Sequence, residues 1–278
     1  MKNAWIITIS FLGVYTATTA QTLPIKQEKS LRAPSNIKLD GKATEWGDKF
    51  QAFDKATEVF YTVSNNDENL YFTIKVTQPR VIEKIMNAGI TITVNNTGKK
   101  DDKATDNVSL TFPLMDYSNV PHIVTAAGAQ TKSIMVSTGR GIPATDYKPE
   151  FDPTPSDSLK DVATKLLNAN AKFIKINGIK EIPDGDLSVY NEENIKVGAA
   201  FDHRGAYIYE LAIPLKYLHG IANQTRFTYN IKLQSRINVI RRGMVTRYNY
   251  VAGEPVDIDI DLDSTTDFWG EYILAGKQ

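Results

Sequence analysis

A chain of 278 residues is long enough for one large domain or two small ones, each with a sizeable core. Lys plus Arg and Asp plus Glu both number 32, so no net charge points to nucleic acid or to an anionic membrane surface. The absence of cysteine excludes disulfides, thiolate metal sites, cysteine nucleophiles and a lipid-modified cysteine behind a leader.

The first twenty residues read as a signal peptide. Lys2 gives a positive start, Ala4 to Val14 is largely apolar, and Thr18-Thr19-Ala20 supplies the small residues of a cleavage site before Gln21. The apolar run is too short to span a bilayer comfortably, and the expected product is a soluble secreted or periplasmic protein without an integral membrane segment. Gln21 to Ser35 is polar, contains Pro24 and Pro34, and is expected to be a flexible leader. Residues 36–278 are expected to form one domain.

Within that domain the period of hydrophobicity is two. "IKLDGKATEW" (Ile37 to Trp46) places an Asp40-Gly41 turn before Trp46, whose ring is expected to plug one end of the core. In "LYFTIKV", Leu70, Phe72, Ile74 and Val76 share one face. "ITITV" (Ile90 to Val94), "VSLTF" (Val108 to Phe112), "YIYELAI" (Tyr207 to Ile213) and "FTYNIKLQSRINV" (Phe227 to Val239) repeat the pattern. Turn signals such as Asn65-Asn66-Asp67 and Asn95-Asn96-Thr97-Gly98 separate them. Short alternating strands joined by turns predict an all-β fold, an antiparallel β-sandwich with jelly-roll or immunoglobulin-like layers.

Helical signals are few. "PRVIEKIMNAG" opens on Pro79 and closes on Gly89, and "SDSLKDVATKLLNANA" has a cap at Ser156 or Asp157 and an apolar stripe through Leu159, Val162, Ala163, Leu166 and Leu167. "PLKYLHG" reads as one helical turn after a strand. The proline-rich stretch from about 115 to 186 reads as an irregular insertion carrying the short helix.

The order "IKLDGKATEW", "NDENLYFTIKV", "GITITVNNTGKK", "GAYIYELAIPLKYL", "FTYNIKLQSRIN" and "FWGEYILA" resembles the family-9 carbohydrate-binding modules and their wider relatives. The resemblance implies a β-sandwich, calcium as a structural ion, and sugar binding without catalysis. The chain departs from the family at "EKIMNAGITITV", which has no aromatic residue and has Thr91 in the approximate place of an acid.

The candidate binding face follows from one long strand. Phe227, Tyr229, Ile231 and Leu233 alternate with Asn230, Lys232, Gln234 and Arg236, and a hairpin turn near Arg242-Gly243 would bring Arg247 to the same polar side. A row of amides and cations offers the donors and acceptors that sugar hydroxyls require; a merely solvated face is the competing reading. Asn230, Lys232, Gln234, Arg236 and Arg247 are therefore the expected hydrogen-bonding residues for a glycan or oligosaccharide. Trp269 is the expected stacking ring. Calcium is not required by the reading but has candidate ligands in Asp257, Asp259, Asp261 and Asp263, in the Asn66-Asp67-Glu68 turn, and around Asp101, Asp102 and Asp106.

No nucleophile elbow, zinc motif, P-loop or dinucleotide fingerprint occurs, and His122, His203 and His219 are widely spaced. The expectation is a non-catalytic binder. The alternatives are an envelope interaction or assembly protein that keeps the sandwich without a sugar site, and a glycan-active hydrolase with two carboxylates meeting in a pocket.

Overall fold

Alternating apolar residues build two antiparallel sheets that face each other. The computed structural model describes residues 23–47, 49–115, 121–125, 134–138, 156–221, 226–235 and 264–276, with backbone alone for 121–125, 134–138 and 156–160. The first sheet runs in the order β1 (Ala52–Asp54), β2 (Val59–Asn65), β3 (Asn69–Val76), β11 (Tyr207–Pro214), β10 (Lys196–Phe201). The second runs β13 (Thr266–Tyr272), β12 (Phe227–Leu233), β4 (Ile90–Asn95), β5 (Asn107–Phe112), β8 (Phe173–Asn177), β9 (Gly185–Ser188). A separate ribbon pairs β6 (Pro121–Thr125) with β7 (Ile134–Thr138). Among the described residues the α-helices are α1 (Pro79–Ala88) and α2 (Ser156–Asn170). The fold is the expected all-β sandwich.

The inner faces are the ones the period predicts. Leu70, Phe72, Ile74 and Val76 of β3 are buried against Phe227, Tyr229, Ile231 and Leu233 of β12 within one apolar cluster. Aromatic rings stitch the layers: Tyr229 stands edge-on to Phe72 at 5.7 Å and to Tyr61 at 6.2 Å, and its hydroxyl lies 3.3 Å from that of Tyr61. Tyr229 sits opposite Gly270 in the register, and a Cβ there would fall 2.2 Å from the tyrosine ring. The core aromatic thus dictates a glycine on the neighbouring strand.

Three expectations need correction. The polar stretch ahead of the domain is not a flexible leader over the residues described. Gln27 is buried, and its side-chain amide both donates to the Val63 carbonyl and accepts from the Val63 N–H, each at 2.7 Å. Leu31 and Ala33 continue along β2 through backbone bonds with Asn65. A glutamine side chain carries the same donor and acceptor as a peptide group, so a polar segment can close a strand edge without an alternating pattern.

The central segment is also more than an insertion. β8 and the start of β9 lie before residue 186 yet are hydrogen-bonded members of the second sheet, with Ile174 and Ile176 fully buried. The strand is only five residues long, too short for its period to register. α2 keeps Ala163 and Leu167 of its stripe buried but leaves Val162 exposed, and Thr164 of this helix accepts the N–H of Phe201 on the sheet edge.

Trp46, finally, lies outside the main core. It ends a 3-10 turn (Thr44–Trp46) and packs half-buried on a small cluster of Ala43, Phe50, Ile208 and Phe60 on the outer face of the first sheet. The opening segment is a cover laid across that sheet.

Candidate functional site

On the second sheet Asn230 and Lys232, two of the expected hydrogen-bonding residues, lie on one outer face. Trp269, Asn230, Thr93, Ser109 and Asn177 form one rung across five strands, by the pairings Trp269–Asn230, Asn230–Thr93, Thr93–Ser109 and Ser109–Asn177. Trp269 is half-buried. Arg236 and Arg247 lie outside the described residues, as do Asp257, Asp259, Asp261 and Asp263.

The donors of that face are already engaged within the protein. Asn230 is 1% exposed, and its amide donates to Asp267 at 2.6 Å and to the Phe268 carbonyl at 3.0 Å. Lys232 is ion-paired with Asp102, and Gln234 donates to the Thr91 hydroxyl at 2.8 Å. The loop between β4 and β5 folds over this end of the sheet. Thr228 donates to the Lys99 carbonyl at 2.6 Å, and Lys100 and Arg226 both bind Glu271, holding its carboxyl below the ordinary range. Asp106 of the same loop, accepting from Thr97 and Asn95, is likewise lowered. Among the described residues no group of three or more His, Asp or Glu converges to hold a metal ion.

The outer face of the first sheet holds a groove of about 630 Å³ that sequence reasoning missed. Its shape comes from a small residue between two long ones. In the register Ala212 of β11 is flanked by Tyr71 of β3 and Lys196 of β10, so a trough forms over the alanine. Tyr71, Ala212 and Pro214 make a buried floor, and Ile37 and Leu39 of the opening segment make a half-buried apolar wall.

The rim is polar and set by turns. Asn66 caps the β2–β3 turn by accepting from the N–H groups of Glu68 and Asn69 at 2.9 and 2.7 Å, which puts Asp67, Glu68 and Asn69 at the mouth. Asn66 also donates to the Tyr71 hydroxyl at 3.0 Å, and burial raises that phenol above its ordinary value. Asn194, in a left-handed conformation at φ 62° and with its amide donating to the Glu192 carbonyl at 3.4 Å, lies opposite, followed by Lys196. Lys216 follows from the 3-10 turn (Leu215–Tyr217), whose first N–H donates to the Glu68 carbonyl at 2.7 Å. Asp67 is ion-paired with Arg32 at 2.9 Å, whereas the Lys196 side chain makes no hydrogen bond or ion pair among the described residues.

An apolar floor with one ring, under amide and ammonium donors, is a combination that binds small polar molecules with carbon faces. The signal for it was present in "YIYELAI": Ile208 and Ala212 are apolar on the outward face, which a solvated face would not favour. No family model, curated protein or solved structure matches this chain.

Proposed function

We propose that this protein binds a glycan without catalysis, in the groove on the outer face of its first sheet. The observation that carries the reading is the groove's composition. A pyranose presents an apolar ring face and a belt of hydroxyls, matched by the Tyr71–Ala212–Pro214 floor and by the donors of Asn69, Asn194, Lys196 and Lys216. A volume of about 630 Å³ accommodates one or two sugar units. Of the two carboxylates at the rim, Asp67 and Glu68, the first is ion-paired with Arg32 at 2.9 Å.

Calorimetric titration of the chain with a panel of cell-wall and plant oligosaccharides tests this. Binding by at least one saccharide is expected, weakened about tenfold or more in the Asn194→Ala/Lys196→Ala double variant and unchanged in Trp269→Ala. No binding across the panel, or binding indifferent to the double variant, overturns the groove.

A second reading has its own observation. Trp269 shares a rung with Asn230, Thr93, Ser109 and Asn177, a half-buried ring beside a polar sheet face. Loss of binding in Trp269→Ala with the groove variant intact would move the sugar to the second sheet. An assembly role in the envelope is the reading left if neither variant has a saccharide to lose.

A further inference from the structure

Glu210 stands in the middle of β11 with its side chain on the outer face, opposite Thr73 of β3 and Gly198 of β10. It is fully buried there, under the segment Ile37–Gly47. One carboxyl oxygen, Oε2, accepts the Gly41 N–H at 2.8 Å. The other, Oε1, is buried and makes no hydrogen bond. A buried acceptor left unmet is costly, and a buried negative charge left unmet is costlier.

The segment has no slack over this carboxyl. A Cβ on Gly198 would lie 2.3 Å from the Leu39 carbonyl oxygen, and one on Gly41, at φ 74°, would lie 2.4 Å from the Ala200 nitrogen. Backbone rests directly on backbone. The segment and sheet are therefore either in this contact or apart, with little room for a halfway arrangement.

The charges facing Glu210 are mostly of its own sign. The segment contributes Asp40 and Glu45, with Lys42 drawn to Asp40 at 3.6 Å. On β3 the nearest cation along that face is Lys75, two residues from Thr73 and held by Asp202 at 3.4 Å. On β10 it is Lys196, two residues from Gly198 and at the groove rim. None of these forms an ion pair with Glu210.

We infer that Glu210 is a proton-operated latch on the groove: protonated, it lets the Ile37–Gly47 segment close on the first sheet, and ionised, it releases the segment. Burial pushes the carboxyl up to about 7; the backbone N–H groups of Gly41 and, more weakly, Asp40 oppose the rise, while the charges of Glu45 and Asp40 add to it. The sign follows from linkage. A folded value raised above the ordinary 4.5 gives closure whose stability is fully present below about 4.5 and is lost as pH rises through about 7. Ile37 and Leu39 wall the groove, so release would open one of its sides. That consequence rests on the groove being the ligand site; the latch itself does not.

Hydrogen–deuterium exchange of the chain without sugar, at about pH 5.5 and about pH 8.5 and corrected for intrinsic exchange, tests the latch. Protection of residues 37–47 is expected to fall about tenfold or more at the higher pH in the wild type and to stay level in Glu210→Gln. A level wild type, or an equal fall in both, overturns it. Restored protection at high pH on adding millimolar calcium also overturns it, because the carboxylate would then be a cation ligand. Should Glu210→Gln fail to fold, carbon-13 NMR of the Glu210 carboxyl decides: a midpoint near 7 supports the latch and one near 4.5 sinks it. With no saccharide present, neither outcome touches the glycan reading.

Discussion

The two sheets of this sandwich are covered on their outer faces in opposite ways. Over the second sheet, the β4–β5 loop brings charge to charge, Asp102 to Lys232 and Lys100 to Glu271, and acceptor to donor, the Lys99 carbonyl to the Thr228 hydroxyl. Over the first, the Ile37–Gly47 segment brings backbone and two acids down on Glu210, whose second oxygen has no partner. The Asn230 amide oxygen is left unmet on that second face too, but an amide does not titrate, so no proton governs its closure. A face closed over a lone carboxyl depends on that carboxyl's proton, and it is the face with the groove.

The contrast can be broken most severely at the tight contact. Gly41→Ala forces a side chain into the Ala200 backbone at a left-handed φ of 74°. Overpacking and backbone strain together are expected to destabilise the protein by about 3 kcal/mol, read from urea unfolding. A loss below about 0.5 kcal/mol would mean that the cover is not seated on the sheet.

A smaller effect, with a sign that depends on pH, is expected from Glu210→Gln. At about pH 8 the wild type holds an ionised carboxylate where the amide is neutral, so the variant should be more stable by roughly 1–2 kcal/mol. At about pH 5 the difference should vanish or reverse. A gain equal at both pH values would separate stability from the proton.

On the second sheet the effect should be smallest and sensitive to salt. Lys232→Met keeps the packed stem and removes the ammonium from Asp102, at an expected loss of about 1 kcal/mol that shrinks in high salt. A larger, salt-independent loss would place that pair among the contacts that hold the sandwich together.

How far the sequence carried can be seen on single strands. In "LYFTIKV" the period assigned Leu70, Phe72, Ile74 and Val76 to the core correctly, yet Tyr71 and Thr73 on the other side are buried as well. The period identifies the face that meets the opposite sheet; whether the remaining face meets water depends on segments far away in the chain. The same limit applies to Asn230 and Lys232. Their side was legible, but their partners Asp267 and Asp102 come from strand pairing and a loop.

The sequence by itself determined the layers, because a period of two forces alternate residues onto one side of a strand and burial then selects the apolar side. It also determined the turns, where Asp, Asn and Gly fix the backbone locally. Only the tertiary structure decided what covers the outer faces. Gln27 serving as a stretch of strand, Trp46 moved from core to cover, Ala212 left as the floor of a trough, and Glu210 sealed beneath Gly41 all depend on which distant segments meet. Local periodicity carries no record of such meetings, since they are made by single residues rather than by a repeating pattern.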